Sequence, residues 1–305
     1  MSADAPPRDI GFIGLGLMGA AMVERLQACG HRLHVVANRS RANIEAAIGR
    51  GATEHASARE VAAASDIVML CVDTSASVEA RMRGPHGVIA GLRDGAVVID
   101  FGTSLPDSTR ALGGEVEAAG GTYLDAPLGR TPAHAVDGLL NIMASGDEAA
   151  FSLVRPVLDQ LGENVFHLGA LGTGHTIKLI NNFFGMTTAV AMSEAFAMAD
   201  RAGVDRQALY DVMSAGPLRS GMMDFVSANA LEGDPDQLAF SIRNARKDVG
   251  YYAAMASAAG VPTQMSPATL GALTLALAMG DGDKMVSQMV DRLADLFARP
   301  EAGDA

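Results

Sequence analysis

Residues 9–19 read Asp9-Ile10-Gly11-Phe12-Ile13-Gly14-Leu15-Gly16-Leu17-Met18-Gly19. A short apolar run (9–14) ends in glycine. A second stretch (18–29) follows, with its apolar residues at helical spacing. Gly14, Gly16 and Gly19 therefore form a GxGxxG string where a strand turns into a helix. Each glycine has a physical task there. The first permits a tight turn, the second lets backbone amides approach a pyrophosphate, and the third lets the helix pack closely on the strand. The helix N-terminus adds partial positive charge. The string alone also fits a merely tight turn. The flanking strand and helix favour a dinucleotide site, with Gly14, Leu15, Gly16, Met18 and Gly19 lining it.

Working outward, the β-like runs 33–37, 67–72 and 97–100 alternate with Ala-rich helical stretches near 41–49, 57–64 and 105–118. This alternation predicts a doubly wound, mostly parallel sheet, because a parallel crossover returns the chain through a helix. The runs 122–125, 140–144 and 165–168 read as later strands of the same sheet. After residue 171 the β signal stops. The stretch 175–201 has no Pro and a single Gly, Gly185, and reads as one long, mostly buried helix. Further helices are expected near 205–214, 219–230, 238–259, 266–279 and 282–297. The expected organisation is an α/β Rossmann domain over 1–171 and an all-helical substrate and oligomerisation domain over 172–305.

The chain has 305 residues, 49% hydrophobic and 19% charged, with a formal charge of −12. That is a composition for two packed domains rather than a disordered chain. No basic stripe suggests nucleic acid, and the acidic balance disfavours an anionic membrane. Cys29 and Cys71 are expected as two buried thiols in a reducing cytosol, and the chain reads as soluble and cytoplasmic. The seven histidines form no metal-ligand spacing, so no metal site is expected.

The end of the second strand is informative. Dinucleotide sites that take NAD usually carry an acid there for the ribose 2′-hydroxyl. Here Asn38-Arg39-Ser40-Arg41 follows, with no acid until Glu45. Asn38 and Arg39 suit a 2′-phosphate, which points to NADP(H) over NAD(H). The alternative is a solvated basic loop.

Two segments could carry chemistry. In Gly172-Thr173-Gly174-His175-Thr176-Ile177-Lys178-Leu179-Ile180-Asn181-Asn182, Lys178 and Asn182 lie four apart and face the same way on a helix. Lys178 is either used or snorkels to the surface. In Asp125-Ala126-Pro127-Leu128-Gly129-Arg130-Thr131-Pro132, a strand runs into a loop, where ligands of open α/β sheets bind. Arg130 is either an anchor for a carboxylate or sulfonate, or a surface arginine. Lys247-Asp248 would ordinarily be a charged pair on a helix face.

Taken in order, GFIGLGLMGAAM (11–22), DFGTSLP (100–106), DAPLGRTPAHAVDGLL (125–140), GTGHTIKLINN (172–182) and ARKD (245–248) resemble the β-hydroxyacid dehydrogenases, which include 3-hydroxyisobutyrate dehydrogenase and tartronate semialdehyde reductase. The resemblance spans nearly the whole chain. It implies a Rossmann domain, a helical domain built around a long interdomain helix, and a homodimer or homotetramer. It implies that Lys178 is the catalytic acid/base, that Asn182 and Asn181 help hold substrate, and that Thr103 and Lys247 line the cofactor site. The family's loop resembles DAPVSGG, and Gly129-Arg130-Thr131 replaces its Ser-Gly-Gly. That replacement is similar to the sulfolactaldehyde reductase branch, where the arginine grips a sulfonate, although that branch resembles NADH users. Lys178 argues against the related imine reductases. The expected activity is hydride transfer between NAD(P) and a small anionic 3-hydroxy acid. The alternatives are a sulfonate substrate or a retired dinucleotide-binding module.

Overall fold

The computed structural model describes residues 6–37 and 41–298. Its chain divides into two units, Met1–Lys178 and Leu179–Ala305. In the first, β1 (Asp9–Ile13), α1 (Leu17–Ala28), β2 (Arg32–Val36), α2 (Arg41–Gly49), β3 (Thr53–His55), α3 (Ala58–Ala63), β4 (Ile67–Leu70), α4 (Ser75–Met82), β5 (Val97–Asp100), α5 (Pro106–Ala118) and β6 (Thr122–Asp125) alternate as expected. The six strands form one parallel sheet in the order β3-β2-β1-β4-β5-β6. This is the doubly wound order, whose strand sequence reverses between β1 and β4. The central strands β1, β4 and β5 are short and almost wholly buried because helices cover both faces of the sheet. Phe12, Met22, Leu26 and Met69 are buried together in one core cluster, and Val61, Leu70, Val98 and Val116 in another. Helix starts follow local chemistry. Ser57 and Thr74 accept the N–H of Glu60 and Ser77, and Pro106 opens α5 where no N–H partner is needed.

One expectation needs correcting. After β6 come β7 (Leu128–Gly129), α6 (Pro132–Asp137), β8 (Leu140–Ala144), α7 (Glu148–Leu161) and β9 (Gly162–His167). Strands β8 and β9 do not extend the main sheet. They form a second, three-stranded sheet in the order β7-β8-β9, with β7 antiparallel and β9 parallel to β8. Pro127 has no N–H to continue a ladder beyond β6. The contact between β6 and the β8 end is reduced to one antiparallel bridge, Asp125 to Ser145.

Helix α7 has no counterpart in the sequence reading. Pro156 lies inside it, which reads as a break, yet Phe151, Val154, Leu158 and Leu161 form a buried apolar stripe that holds the helix.

The long helix α8 runs Thr173–Ala202. The second unit continues with α9 (Arg206–Ser214), α10 (Gly221–Glu232), α11 (Ile242–Ala258), α12 (Met265–Ala278) and α13 (Met289–Phe297). Its core joins Met186, Phe196, Val226, Val249, Leu273 and Met289. Asp205, Ser220 and Ser241 cap α9, α10 and α11. No helix among the described residues is long and apolar enough to cross a membrane. Cys29 and Cys71 are free and half-buried rather than fully buried. Desolvation pushes the Cys71 thiol up to about 12, so it stays protonated near neutral pH.

Candidate active site

The glycine loop sits at the C-terminal end of β1. Gly14 has φ +100, and a Cβ there would lie 2.3 Å from the Cys71 carbonyl oxygen. A Cβ on Gly19 would lie 2.0 Å from the Gly14 carbonyl oxygen and 3.0 Å from the Phe12 ring. Both glycines are therefore demanded by the protein's own packing. Gly16 differs: a Cβ there would meet nothing within 4 Å. Gly16 precedes α1, whose first-turn amides have no side-chain cap. The open space beside it belongs to a cavity of about 400 Å³, lined by Gly14, Leu15, Gly16, Val36, Val72 and Arg81 among others. An uncapped helix N-terminus facing such a space fits a pyrophosphate. Asn43 steadies the loop by donating to the Leu15 carbonyl at 2.7 Å, and Met18 is half-buried behind it. Asn38 and Arg39 lie outside the described residues. Arg41 is committed elsewhere, to Glu54 and Glu45.

Two buried carboxylates organise the next part. Asp100 and Asp125 end β5 and β6 as register partners, and both are fully buried. Asp100 accepts the Gly102 N–H at 2.8 Å and the Ser104 hydroxyl at 2.9 Å, so it holds the loop that carries half-buried Thr103. Asp125 accepts the Ser145 hydroxyl at 2.5 Å and two backbone amides, Gly172 and His175, each at 2.7 Å. It thus caps the start of α8 from a distant strand, placing negative charge at a positive helix end. The His175 ring is fully buried, bonded to Thr109 at 2.7 Å and 3.8 Å from each of the two carboxylates. A Cβ on Gly174 would lie 2.2 Å from the Met143 carbonyl oxygen, so the helix start also presses against β8. Lys178, half-buried, follows one turn later. Asp100, Asp125 and His175 are buried supports of these segments that the sequence analysis did not single out. The signal was present, since all three stand inside the quoted motifs.

In the loop after β6, Gly129 pairs with Asn141 through β7 and β8. Arg130 has φ 78, the left-handed region, which costs a residue with a side chain about 1–2 kcal/mol. Its guanidinium donates to the Leu139 carbonyl at 2.6 Å and pairs with Glu163 at 2.6 Å. The Thr131 hydroxyl bonds the His134 ring at 2.7 Å at the head of α6.

Within the second unit, Asn181 is exposed and Asn182 buried. Asn182 donates to Asp248 at 2.6 Å, while Lys247 Nζ lies 3.0 Å from the other oxygen of that carboxylate and 5.5 Å from the Tyr251 ring centre. Asp248 thus joins two predicted site residues, Asn182 and Lys247, which the sequence left apart. Among the described residues no group of three or more His, Cys, Asp or Glu could hold a metal ion.

The comparisons with known proteins agree with this fold. The model for the NAD binding domain of 6-phosphogluconate dehydrogenase matches residues 9–169, and that for the NAD-binding domain of NADP-dependent 3-hydroxyisobutyrate dehydrogenase matches residues 172–293. The 2-hydroxy-3-oxopropionate reductase of Escherichia coli (strain K12) is 37% identical over 66% of this chain and 69% of its own. The chain belongs to the β-hydroxyacid dehydrogenase family. The 2-(hydroxymethyl)glutarate dehydrogenase of Eubacterium barkeri is 28% identical over 92% of this chain and 93% of its own. A 3-hydroxyisobutyrate dehydrogenase of Mycobacterium tuberculosis, solved with L-serine, superimposes with a TM-score of 0.84 at 26% identity, covering 94% of this chain and 99% of that one. As a β-hydroxyacid dehydrogenase, this chain is an NAD(P)-dependent oxidoreductase acting on a CH–OH group. The open cradle at Gly16 fits that cofactor.

Proposed function

We propose that this β-hydroxyacid dehydrogenase interconverts a short anionic semialdehyde and its 3-hydroxy acid, with Lys178 as acid/base. The observation that carries the reading is the Asp125 clamp. It anchors the first turn of α8 to the end of β6, and Lys178 follows one turn after His175 on that helix. A bound nicotinamide dinucleotide supplies or accepts the hydride. Lys178 Nζ, as ammonium, hydrogen-bonds the substrate carbonyl oxygen and gives it a proton. In the reverse direction the neutral amine takes the hydroxyl proton. Positioned acid–base help of this kind is worth ~10²–10⁴ in rate. Asn182 and Asn181 orient the substrate, and Thr103 and Lys247 bind the cofactor. The boundary expected after residue 171 keeps Lys178 on the helix that opens the substrate domain.

Gly129, Arg130 and Thr131 bind the anionic head group. Arg130 is held by Glu163, so an incoming anion competes with that carboxylate for the guanidinium. The E. coli relative's name indicates a three-carbon carboxylate, and we take a carboxylate as the head group. A sulfonate is the second reading, favoured by a cation where the family resemblance has glycine. NADP(H) is preferred over NAD(H): Asn38 and Arg39 follow β2, and the nearby acids Glu45 and Glu54 are occupied by Arg41. The protein works in the cytoplasm, which suits two free cysteines. It forms a homo-oligomer through its helical unit, where Phe184, Met198, Val212 and Leu218 expose apolar side chains.

The test is turnover of succinic, methylmalonate and tartronate semialdehydes and of sulfolactaldehyde with NADPH and with NADH, followed by absorbance. Oxidation of NADPH with a carboxylate substrate is the expected result. Turnover of sulfolactaldehyde alone would select the sulfonate reading. NADPH binding without turnover of any of the four would overturn both.

A further inference from the structure

The cavity beside the glycine loop has a neighbour. A second cavity of about 520 Å³ begins at Val36 and Ala37, where β2 ends, and reaches His86 and Gly87 beyond α4. The two cavities share Val36, Ala80 and Arg81 on their walls. Ser77, Ala80 and Arg81 are spaced so that one face of α4 lines the space, Ser77 and Arg81 being four residues apart. Arg81 therefore stands where the space beside the glycine loop passes into the space beyond the end of β2.

The charges around that point are distributed unevenly. Arg41, just past β2, is held by Glu54 and Glu45. Arg83, on the wall of the second cavity, is held by Glu79 and Glu115, with contacts of 2.6 Å to each. Among the described residues, the half-buried Arg81 guanidinium has no hydrogen-bond or ion-pair partner. No acidic residue is among the described residues lining the second cavity. Asp73, an acid on the wall of the first, accepts the Ser77 hydroxyl at 2.8 Å and stands after β4 rather than β2. A half-buried, uncommitted guanidinium at a cavity wall is a receptor for a dianion, because it can donate two parallel hydrogen bonds without first giving up a carboxylate. In a doubly wound fold the adenosine ribose lies at the end of β2, and its 2′ position is what separates the two nicotinamide cofactors.

We infer that Arg81, on α4, binds the 2′-phosphate of NADP and is a determinant of cofactor choice, a reading that rests on the NADP preference proposed above. Its place is notable because it acts from the helix after β4, independently of whatever the segment after β2 contributes. The class of ligand is a ribose 2′-phosphate monoester. Free 2′,5′-ADP carries that group without the nicotinamide.

The experiment measures dissociation constants of NADPH, NADH, 2′,5′-ADP and 5′-AMP for the wild-type protein, for Arg81→Gln and for Arg81→Lys, by calorimetry at two salt concentrations. Loss of a charge-assisted bidentate contact should weaken NADPH and 2′,5′-ADP about tenfold or more in Arg81→Gln, relative to NADH and 5′-AMP. Arg81→Lys should recover part of the loss, and the salt dependence of NADPH binding should become shallower in Arg81→Gln only. A preference for NADPH that survives in Arg81→Gln would overturn the role of Arg81 while leaving the proposed cofactor preference standing. A wild-type protein that binds NADH as tightly as NADPH would overturn both. Equal weakening of all four ligands would show that Arg81 packs on the adenosine rather than reading its phosphate, and would also refute the inference.

Discussion

The Asp125 carboxylate accepts the backbone N–H of His175 at 2.7 Å, fifty residues along the chain and one turn before Lys178. One oxygen takes His175 and the other takes Gly172, so a strand end serves as the cap of a thirty-residue helix. An aspartate in this position does two jobs. It satisfies buried amides, and it sets where the first turn of α8 begins. Asp125→Ala should leave the Gly172 and His175 amides and the Ser145 hydroxyl unpaired, at a cost of about 3 kcal/mol in unfolding free energy. Because the helix start then loosens, kcat should fall more than NADPH affinity. Denaturant titration and steady-state kinetics on one preparation check this; a stability loss with normal kcat would confine Asp125 to a structural role.

Lys178→Ala should lose ~10²–10⁴ in kcat and keep its NADPH affinity, since the glycine loop is untouched. Single-turnover reduction with saturating NADPH is the measurement. A near-normal rate would remove Lys178 from the chemistry.

Gly16 and Gly19 should separate cleanly. Gly19→Ala puts a methyl group 2.0 Å from a carbonyl oxygen, and should destabilise by about 2–3 kcal/mol. Gly16→Ala meets nothing in the protein, and should keep its Tm while binding both dinucleotides weakly. Thermal melts with and without NADPH distinguish them. A Gly16→Ala protein with wild-type affinity would mean that the open space is not the phosphate cradle.

Arg130→Gly relieves a left-handed backbone strain of about 1–2 kcal/mol and gives up a partly exposed ion pair worth about 0–1 kcal/mol. The expected outcome is a protein equally stable or up to about 2 kcal/mol more stable, with a raised KM for the anionic substrate. Greater stability with unchanged KM across the semialdehyde panel would take Arg130 out of the substrate site.

In the helical unit, the Arg292 guanidinium, at 2.5 Å, and the Lys284 ammonium, at 2.9 Å, lower the Asp281 carboxyl to about 2. The folded value lies below the unfolded one, near 3.9, so the pair's contribution is complete above pH 4. It is lost as pH falls from about 4 towards 2. After discounting for the exposed part of Lys284, the contribution should be about 1–2 kcal/mol. Asp281→Asn should lower stability by that amount at pH 7 and by much less near pH 2. Urea titrations at both pH values check it.

Much of the site was legible because its parts are local. The glycine loop needs only a strand, a turn and a helix in succession, so its string is informative before any folding is considered. The start and end of α8 were readable to within two residues, since Pro is absent and apolar residues run through it. Other parts depended on partners far along the chain. Arg130 reads as a free anchor in sequence, yet the fold gives it Glu163 and the Leu139 carbonyl. Lys247-Asp248 reads as an ordinary pair, and only packing of α11 against α8 within the helical unit lets Asp248 hold Asn182.

The sequence by itself determined the alternating α/β order, the parallel character of the sheet, the glycine loop between β1 and α1 and the long helix. Each of these follows from periodicity and glycine placement within one or two adjacent elements. Only the tertiary structure decided that β8 and β9 leave the main sheet, that α7 survives its internal proline, and that Gly16 alone of the three loop glycines faces open space. It also decided that two buried aspartates tie Thr103's loop and the start of α8 to neighbouring strand ends. Hydrogen-bond partners and free volume are properties of what the fold brings together from distant positions, and no local pattern encodes them.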